Sequence, residues 1–194
     1  LFCGKFKDWK ISTFLQCCIN FVFWRKASLC SAILCVTKID KNNLQRKTPE
    51  LWSEKNYSHE EKTQAFAKFI VNNIAYGKRA KTPLKCVNSM EGVCQDYSEL
   101  FKALCDISNI ECHVVVGSGK NDSQDIGFYS SNHAWNAVKV NGKFQLFDLT
   151  WAAGTYNFQT KSFNKKFNDQ YFNAKAEDFI SNHFPDNSKW QLLD

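Results

Sequence analysis

Residues 132–149 read NHAWNAVKVNGKFQLFDL and contain the clearest local structural signal in the chain. Two largely apolar segments, 134–140 and 143–149, flank the dipeptide Asn141-Gly142. Asn-Gly is favoured in two-residue type I′ turns, because both central residues of such a turn adopt a positive φ. The stretch therefore predicts two antiparallel strands joined by a tight hairpin turn.

A two-residue turn also fixes which residues of the two strands lie opposite each other. We expect Val140 opposite Lys143, and Trp135 then lies opposite Asp148. Because side chains alternate between the faces of a strand, His133 projects on the same face as Trp135, one diagonal step from Asp148. Diagonal neighbours are about 7–8 Å apart at the backbone, a distance that long side chains can bridge. The register thus predicts that His133 and Asp148 are neighbours.

Helical patterns precede this hairpin. Ser58 and Glu61 form the capping-box pattern Ser-x-x-Glu before one apolar stripe of helical spacing, and a second stripe places Cys94 in the first turn of another helix. The predicted elements are a helix at about 59–75, a long surface connection at 77–93, a helix at about 94–107, a strand at 110–117, a polar loop at 118–132 and the hairpin. After Trp151 we expect irregular structure and short helices that cover one side of the sheet.

Cys94, His133 and Asp148 are candidates for one chemical site. A helix N-terminus and a nearby imidazolium both lower the pKa of a thiol, and an Asp at the second ring nitrogen orients the imidazole. The alternative is structural: a Cys at a helix start is often a small buried residue, and a His in a strand is often a hydrogen-bonded polar side chain. The register, which pairs His133 with Asp148 independently, favours the catalytic interpretation.

The composition of the 194-residue chain fits one domain, at residues 51–194, preceded by a basic, Cys-rich extension at residues 1–50. Hydrophobic residues make up 44% of the chain and aromatic residues 15%, which supplies core material and excludes disordered and collagen-like classes. Residues 1–50 contain nine Lys or Arg and three Asp or Glu, whereas residues 51–194 contain sixteen of each. A domain without net charge lacks the basic surface that phosphate groups require, so we expect no nucleic-acid partner.

The extension carries five of the nine cysteines and two apolar runs, Cys17–Trp24 and Ala27–Val36, separated by Arg25-Lys26. Each run is about ten residues or fewer, short of the roughly 20 that a spanning helix requires, so we expect no integral membrane span. The segment from Arg25 resembles the charged flank and apolar region of a secretory signal; a helix or strand packed on the domain is one alternative, and a segment of no structural role is another. No cysteine has zinc-ligand spacing, which predicts no bound metal.

Three blocks of the sequence resemble motifs of the transglutaminase-like superfamily, with its bacterial and kyphoscoliosis-peptidase-like branch nearest. They are GVCQDYSELF at 92–101, NHAWNAV at 132–138 and FDLTW at 147–151, and the resemblance continues through HFP at 183–185 and WQLL at 190–193. It implies a papain-like α+β fold, with the nucleophile on a helix packed against an antiparallel sheet. It also implies Cys94 as nucleophile, His133 as base and Asp148 as the residue that orients the base.

The sequence departs from the family pattern at two positions. Leu149 stands where the family commonly has Pro, a change that we expect to affect rigidity more than chemistry. Asp96 stands where many members have Gly, and we expect its carboxylate to stabilise the helix start while slightly disfavouring a thiolate nearby.

Other residues near the blocks are further candidates. The backbone N–H of Cys94 is an expected oxyanion donor, and Tyr76 or Asn88 is the expected second donor. Trp135 and Trp151 either wall a substrate cleft or pack in the core. We interpret the three remaining histidines as structural or exposed; they are His59, His113 and His183.

Residues and resemblance together predict a thiol-dependent acyl-transfer enzyme that acts on protein or peptide amides, with hydrolysis favoured. The alternatives are protein-glutamine gamma-glutamyltransferase cross-linking, in which an amine accepts the acyl group, and a non-catalytic interaction module. No calcium-loop pattern is present, so we expect no cofactor. The expected partner is a protein or peptide substrate. The oligomeric state and the compartment stay open, with an exported or cell-envelope location slightly favoured by the resemblance.

Overall fold

A computed structural model of the protein describes residues 57–120 and 131–193. The expectations for the N-terminal extension, and for most of the polar loop at 118–132, fall outside the described residues. Within the two described ranges, no helix combines the length and the apolar character needed to cross a membrane.

The described chain alternates short helices with strands that are mostly antiparallel. The helices are α1 (His59–Asn73), α2 (Pro83–Ser89), α3 (Cys94–Ile107), α4 (Leu149–Ala153) and α5 (Ala176–Phe179), and 3₁₀ turns lie at Asp169–Tyr171 and Ser188–Gln191. The strands are β1 (Ala75–Tyr76), β2 (Glu91–Gly92), β3 (Cys112–Gly119), β4 (His133–Val140), β5 (Lys143–Phe147), β6 (Gly154–Asn157), β7 (Ser162–Lys165), β8 (Phe172–Ala174) and β9 (His183–Pro185).

The central antiparallel sheet has five strands in the order β8-β5-β4-β3-β9. Strands β4 and β5 form the predicted hairpin, with Val140 opposite Lys143. Its turn residues Asn141 and Gly142 have φ values of 52° and 81°, both positive as a type I′ turn requires. The predicted register is confirmed for the five pairs from Val140–Lys143 to Asn136–Phe147, whereas Trp135 and Asp148 lie beyond the last pair.

The two long helices begin and end close to their predicted bounds. At the start of α1 the Ser58 hydroxyl accepts a hydrogen bond from the Glu61 backbone, and the Glu61 carboxylate accepts one from the Ser58 backbone, which completes the capping box. Helix α3 packs on one face of the sheet and shares a hydrophobic core with α1 and α4. The buried Asn136 side chain of β4 donates to the Ser98 carbonyl of α3 over 3.1 Å, which fixes the start of the helix beside the start of the strand.

The other face of the sheet has its own apolar cluster around Trp135, covered by the C-terminal segment through Phe179, Trp190 and Leu192. An α+β fold with a helix packed on an antiparallel sheet is thus confirmed.

Three predictions of local structure need correction. The connection at 77–93 contains α2, which Thr82 caps and Pro83 begins, and which buries Cys86 and Val87. The second hairpin strand ends at Phe147 rather than at residue 149, because Asp148 caps α4. The segment after Trp151 is not limited to irregular structure and short helices: β6 pairs with β7, while β8 and β9 extend the central sheet at its two edges.

Candidate active site

Cys94 is the first residue of α3, and its side chain is half-buried. The His133 ring and the backbone N–H groups of Ala134 and Gln95 lie near enough to the sulfur to lower the pKa of the thiol. Burial alone raises the pKa of the Cys94 thiol, but the His133 hydrogen bond and charge, with the two N–H groups, outweigh it. The net result is a pKa of Cys94 below its ordinary value, which favours the nucleophilic thiolate.

The start of α3 is held by a buried carboxylate. Asp96 accepts the backbone N–H groups of Val93 at 3.0 Å, Ala80 at 2.9 Å and Lys81 at 2.8 Å. Its charge is therefore directed at three peptide N–H groups of the helix start and the preceding loop. The sequence pattern predicted the stabilisation of the helix start and a slight disfavouring of the thiolate, but not the loop contact, which depends on tertiary structure.

His133 is the first residue of β4 and is buried between Cys94 and Asp148. Its Nε2 atom lies 2.7 Å from Asp148 Oδ2. Burial lowers the pKa of His133, yet the charge and hydrogen bond of Asp148, aided by Cys94, raise the pKa to about 10. The imidazole is thus paired with an acid on each side, which favours an imidazolium between a thiolate and a carboxylate.

Asp148 is fully buried and follows the last residue of β5. Its Oδ1 atom caps α4 by accepting the N–H groups of Thr150 at 2.9 Å and Trp151 at 3.1 Å. Burial alone would raise the pKa of the Asp148 carboxyl. The charge and hydrogen bond of His133, followed by those of His183, outweigh burial, so the pKa lies well below the ordinary range. The carboxylate stays ionised because its surroundings replace water with hydrogen-bond donors.

His183 is a member of this cluster that the sequence interpretation did not assign to the site. It lies on β9, is 0% exposed, and its Nε2 atom is 3.1 Å from the same Asp148 Oδ2. Its Nδ1 contacts the Asn182 side chain at 2.6 Å, and its ring stacks on Phe179 with centroids 3.8 Å apart. Burial is the largest influence on His183 and lowers its pKa. The local pattern could not reveal this contact, because β9 reaches the site only by pairing with β3.

The remaining candidates lie in different surroundings. Trp151 is half-buried and stacks on His133, with centroids 5.0 Å apart and planes inclined by 26°. Trp135 is 1% exposed and packs edge-on against His183, so of its two expected roles the structure shows core packing. A charge on Cys94 is one of the effects that raise the pKa of the Tyr76 phenol. Asn88 is exposed on α2 and has no described contact with Cys94, His133 or Asp148.

The remaining predicted structural histidines are both at or near the surface of the domain. His59 is exposed at the start of α1, and His113 is half-buried on β3, 3.2 Å from Glu111.

One group of side chains in the described ranges has the donor types that a metal ion would take. The possible ligand atoms of His133, Asp148 and His183 lie within 4.8 Å of one another, and all three residues are buried. Both Nε2 atoms are already engaged by the Asp148 carboxylate, so the observed arrangement is a hydrogen-bonded cluster. The expectation of no bound metal stays a prediction.

Comparison with known proteins gives matches to this region. The chain is 31% identical over 164 residues to the kyphoscoliosis peptidase of Mus musculus, covering 79% of this chain and 25% of that protein. It is 34% identical over 119 residues to the kyphoscoliosis peptidase of Homo sapiens, covering 60% of this chain and 18% of that protein. The chain thus spans about a quarter or less of the length of these two relatives.

A solved crystal structure of a TGase aligns with a TM-score of 0.43 at 14% identity, over 84% of this chain and 42% of that chain. The model of the transglutaminase-like superfamily matches residues 46–149, a range that runs from before α1 to the start of α4 and includes Cys94, His133 and Asp148. With more than half of its length matched by that model, the chain belongs to the transglutaminase-like superfamily.

Proposed function

We propose that this chain is a thiol-dependent acyl-transfer enzyme that acts on protein or peptide amides. Cys94 is the nucleophile, His133 the proton carrier and Asp148 the residue that orients the imidazole. The observation that carries the proposal is the 2.7 Å contact between His133 Nε2 and Asp148 Oδ2, with the same His133 ring lowering the pKa of Cys94 at the start of α3. A nucleophile bound to a base that is itself held by an acid is the arrangement of cysteine and serine hydrolases.

The reaction begins when the Cys94 thiolate attacks the amide carbonyl carbon and forms a carbon–sulfur bond. The carbon–nitrogen bond then breaks, and the His133 imidazolium gives its proton to the leaving amine. In the second half, His133 accepts a proton from water while the water oxygen attacks the carbonyl carbon of the acyl-enzyme. The carbon–sulfur bond then breaks and releases a carboxylic acid, and the proton stays with the Cys94–His133 pair, which restores the resting enzyme. An amine in place of water would give transamidation with the same three residues.

Two groups are suited to stabilise the oxyanion of the intermediates. The backbone N–H of Cys94 lies at the first position of α3, where a helix leaves N–H groups without an intrahelical acceptor. Burial, followed by the charges of Cys94, Tyr156 and Asp148, raises the pKa of Tyr76, so its phenol keeps the proton that it would donate. We assign Tyr76 as the second donor, in preference to the exposed Asn88.

Hydrolysis is the favoured outcome. The mouse and human relatives are both named peptidases, and their alignments include 79% and 60% of this chain, respectively. Cross-linking requires an amine to compete with water for the acyl-enzyme. Mass spectrometry of a cleaved or modified peptide substrate, with and without added Lys, distinguishes the two products.

The first test measures the alkylation of each thiol by iodoacetamide from about pH 5 to 9, mapped by mass spectrometry, in the wild type and in His133→Ala. An ordinary thiol titrates near 8.5, whereas we expect Cys94 to react well below that pH. Cys86, Cys105 and Cys112 are buried internal references, and burial raises the pKa of the Cys86 thiol to about 12. His133→Ala should remove the advantage of Cys94.

A Cys94 that titrates normally, or that is inert in both proteins, would contradict the proposal and favour a non-catalytic interaction module. A Cys94→Ala variant that keeps the biochemical effect of the wild type would do the same. Because Cys94→Ala removes only the sulfur from a helix start, its circular dichroism and urea unfolding curve serve as the folding control.

A further inference from the structure

Two segments meet at β1, which pairs with β2 just before the start of α3. The first, 76–85, begins with Tyr76, which pairs with Gly92 two residues before Cys94. The second, 154–167, contains the β6–β7 hairpin, and Lys165 of that hairpin donates to the Ile74 carbonyl over 3.4 Å. The two segments therefore form one surface next to the thiol.

A row of three aromatic rings crosses this surface. Tyr76 lies beside Cys94 and contacts Tyr156 with ring centroids 5.2 Å apart, and Tyr156 contacts Phe158 at 5.0 Å. The rings become more exposed along the row, from the half-buried Tyr76 and Tyr156 to Phe158, which is 65% exposed. Phe158 has the largest exposed fraction of the large hydrophobic side chains in the described ranges. An aromatic row that leads outward from a nucleophile can hold an apolar side chain of a bound chain.

The two segments that form this surface also carry a concentrated positive charge. Segments 76–85 and 154–167 contain seven Lys or Arg and no Asp or Glu, although residues 51–194 as a whole are electrically balanced. All seven cations are exposed: Lys78, Arg79, Lys81, Lys85, Lys161, Lys165 and Lys166. The two carboxylates that reach the first segment, those of Glu91 and Asp96, accept backbone N–H groups of the loop. A local field of one sign attracts and orients a partner of the opposite sign.

We propose that this aromatic-cationic surface is where the substrate chain binds, and that it selects a protein segment in which acidic residues stand beside an aromatic or large apolar side chain. The inference rests on the proposed function and names its substrate class. The apolar side chain packs on the row Tyr76, Tyr156 and Phe158, the carboxylates face the exposed cations, and the neighbouring amide reaches Cys94.

The ring geometry favours a peptide over a single-stranded nucleic acid. Tyr76 and Tyr156 are inclined by 55°, and Tyr156 and Phe158 by 78°, so the rings pack on one another rather than as parallel platforms. Binding of single strands depends on bases that stack one after another on open aromatic faces. A nucleic acid is nevertheless a direct competitor in the test, because it carries the same sign of charge.

The test uses the Cys94→Ala variant of the full chain and fluorescence anisotropy, so that binding is measured without chemistry. Three labelled peptides are compared: one of Glu, Asp, Phe and Gly, one with Lys in place of the acids, and one with Ser in place of Phe. We expect the first to bind at least about tenfold more tightly than the other two, a factor that corresponds to about 1.4 kcal/mol. Its binding should weaken between about 0.1 M and 1 M salt, as the Debye length falls from about 10 Å to 3 Å.

Variants locate the binding surface. Phe158→Ser, and Arg79→Glu combined with Lys161→Glu, should each weaken binding of the acidic aromatic peptide by about tenfold. The matched controls are Leu193→Ser, an exposed apolar residue, and Lys143→Glu, an exposed cation that begins β5. Lys143 lies opposite Val140, about 20 Å along β4 from His133. Both controls should bind like the parent protein.

Equal affinity for the acidic and basic peptides, or equal effects of the surface variants and their controls, would overturn the inference. Tighter binding of poly(U) RNA than of the acidic aromatic peptide would overturn it in favour of a nucleic-acid surface. None of these results depends on the thiol, so the alkylation experiment decides the proposed function separately.

Discussion

At the scale of single residues, the central feature is a buried carboxylate with every oxygen engaged. Asp148 receives two backbone N–H groups on Oδ1 and contacts two imidazoles through Oδ2. Each donor replaces part of the hydration that burial removes, so the charge can remain inside the protein. An ionised Asp148 in turn holds the imidazole that faces Cys94.

The first prediction concerns the fourth donor of this carboxylate. His183→Phe keeps an aromatic ring against Phe179 but removes the Nε2 atom that contacts Asp148 Oδ2. A hydrogen bond to a charged group contributes about 1.5–3 kcal/mol, so we expect the free energy of unfolding in urea to fall by about that amount. His183→Gln, whose amide can donate to the same oxygen, should lose less. Equal losses in the two variants would show that packing, and not the hydrogen bond, is what His183 supplies.

The site residues differ in how far local sequence could reveal them. Local sequence was enough to predict Cys94, His133 and Asp148, because an apolar helix stripe and a two-residue turn are short-range signals. The turn places His133 one diagonal step from Asp148. Local sequence could not predict His183, because it lies 35 positions after Asp148 in the chain and reaches this carboxylate only through the pairing of β9 with β3. The distinction between the buried Trp135 and the half-buried Trp151 likewise depends on which face the C-terminal segment covers.

At the scale of elements, the start of α3 depends on one side chain. Asp96 joins the helix to the loop before α2 through its bonds to Val93, Ala80 and Lys81. The same loop follows Tyr76, so Asp96 links the nucleophile's helix to the aromatic-cationic surface.

The second prediction is that Asp96→Asn destabilises the protein by about 1–3 kcal/mol, because an amide cannot accept all three N–H groups and leaves a partly buried donor without a partner. The measurement is the free energy of unfolding in urea. Asp106→Asn is the matched control on the same helix: its ion pair with Lys102 is exposed, and such pairs contribute about 0–1 kcal/mol. If the two variants lose the same stability, the buried carboxylate does not anchor the loop.

The elements that sequence predicted well are those with long or self-contained signals. The stripes of α1 and α3 run over fifteen and fourteen residues, and Asn141-Gly142 specifies its turn without outside help. Helix α2 has only seven residues, too few for a clear apolar stripe, so the sequence predicts a surface connection there, although Thr82 and Pro83 are a cap and a first-turn residue. Strands β8 and β9 have three residues each and owe their structure to the sheet edges on which they pair.

At the scale of the whole molecule, the site makes folding stability depend on pH. The pKa of His183 is lowered in the folded protein, so just below about pH 6.5 the unfolded chain binds a proton at this histidine and the folded chain does not. Its contribution is therefore present above about pH 6.5 and is lost as the pH falls through the folded value. The pKa of Asp148 is lowered as well, and its contribution is lost only below about pH 4.

His133 and Cys94 act on the alkaline side. The raised pKa of His133 gives a contribution that is full below about pH 6.5 and is lost as the pH rises towards about 10. The lowered pKa of Cys94 opposes this loss, since its contribution is present above about pH 8.5 and is lost as the pH falls. Between about pH 4 and 6.5 His183 is thus the member of this cluster whose protonation changes the stability.

The last prediction tests whether His183 causes the loss of stability between about pH 6.5 and 4. Because Gln does not titrate, His183→Gln should hold a nearly constant free energy of unfolding between about pH 6.5 and 4, whereas the wild type loses stability by up to about 1.4 kcal/mol per pH unit. The measurement is a series of urea unfolding curves across this range, with His59→Gln as a control that removes an exposed histidine from α1 and should behave like the wild type. Parallel pH profiles in the wild type and His183→Gln would mean that His183 is protonated in the folded protein, and the cluster around Asp148 would then hold two imidazolium ions instead of one.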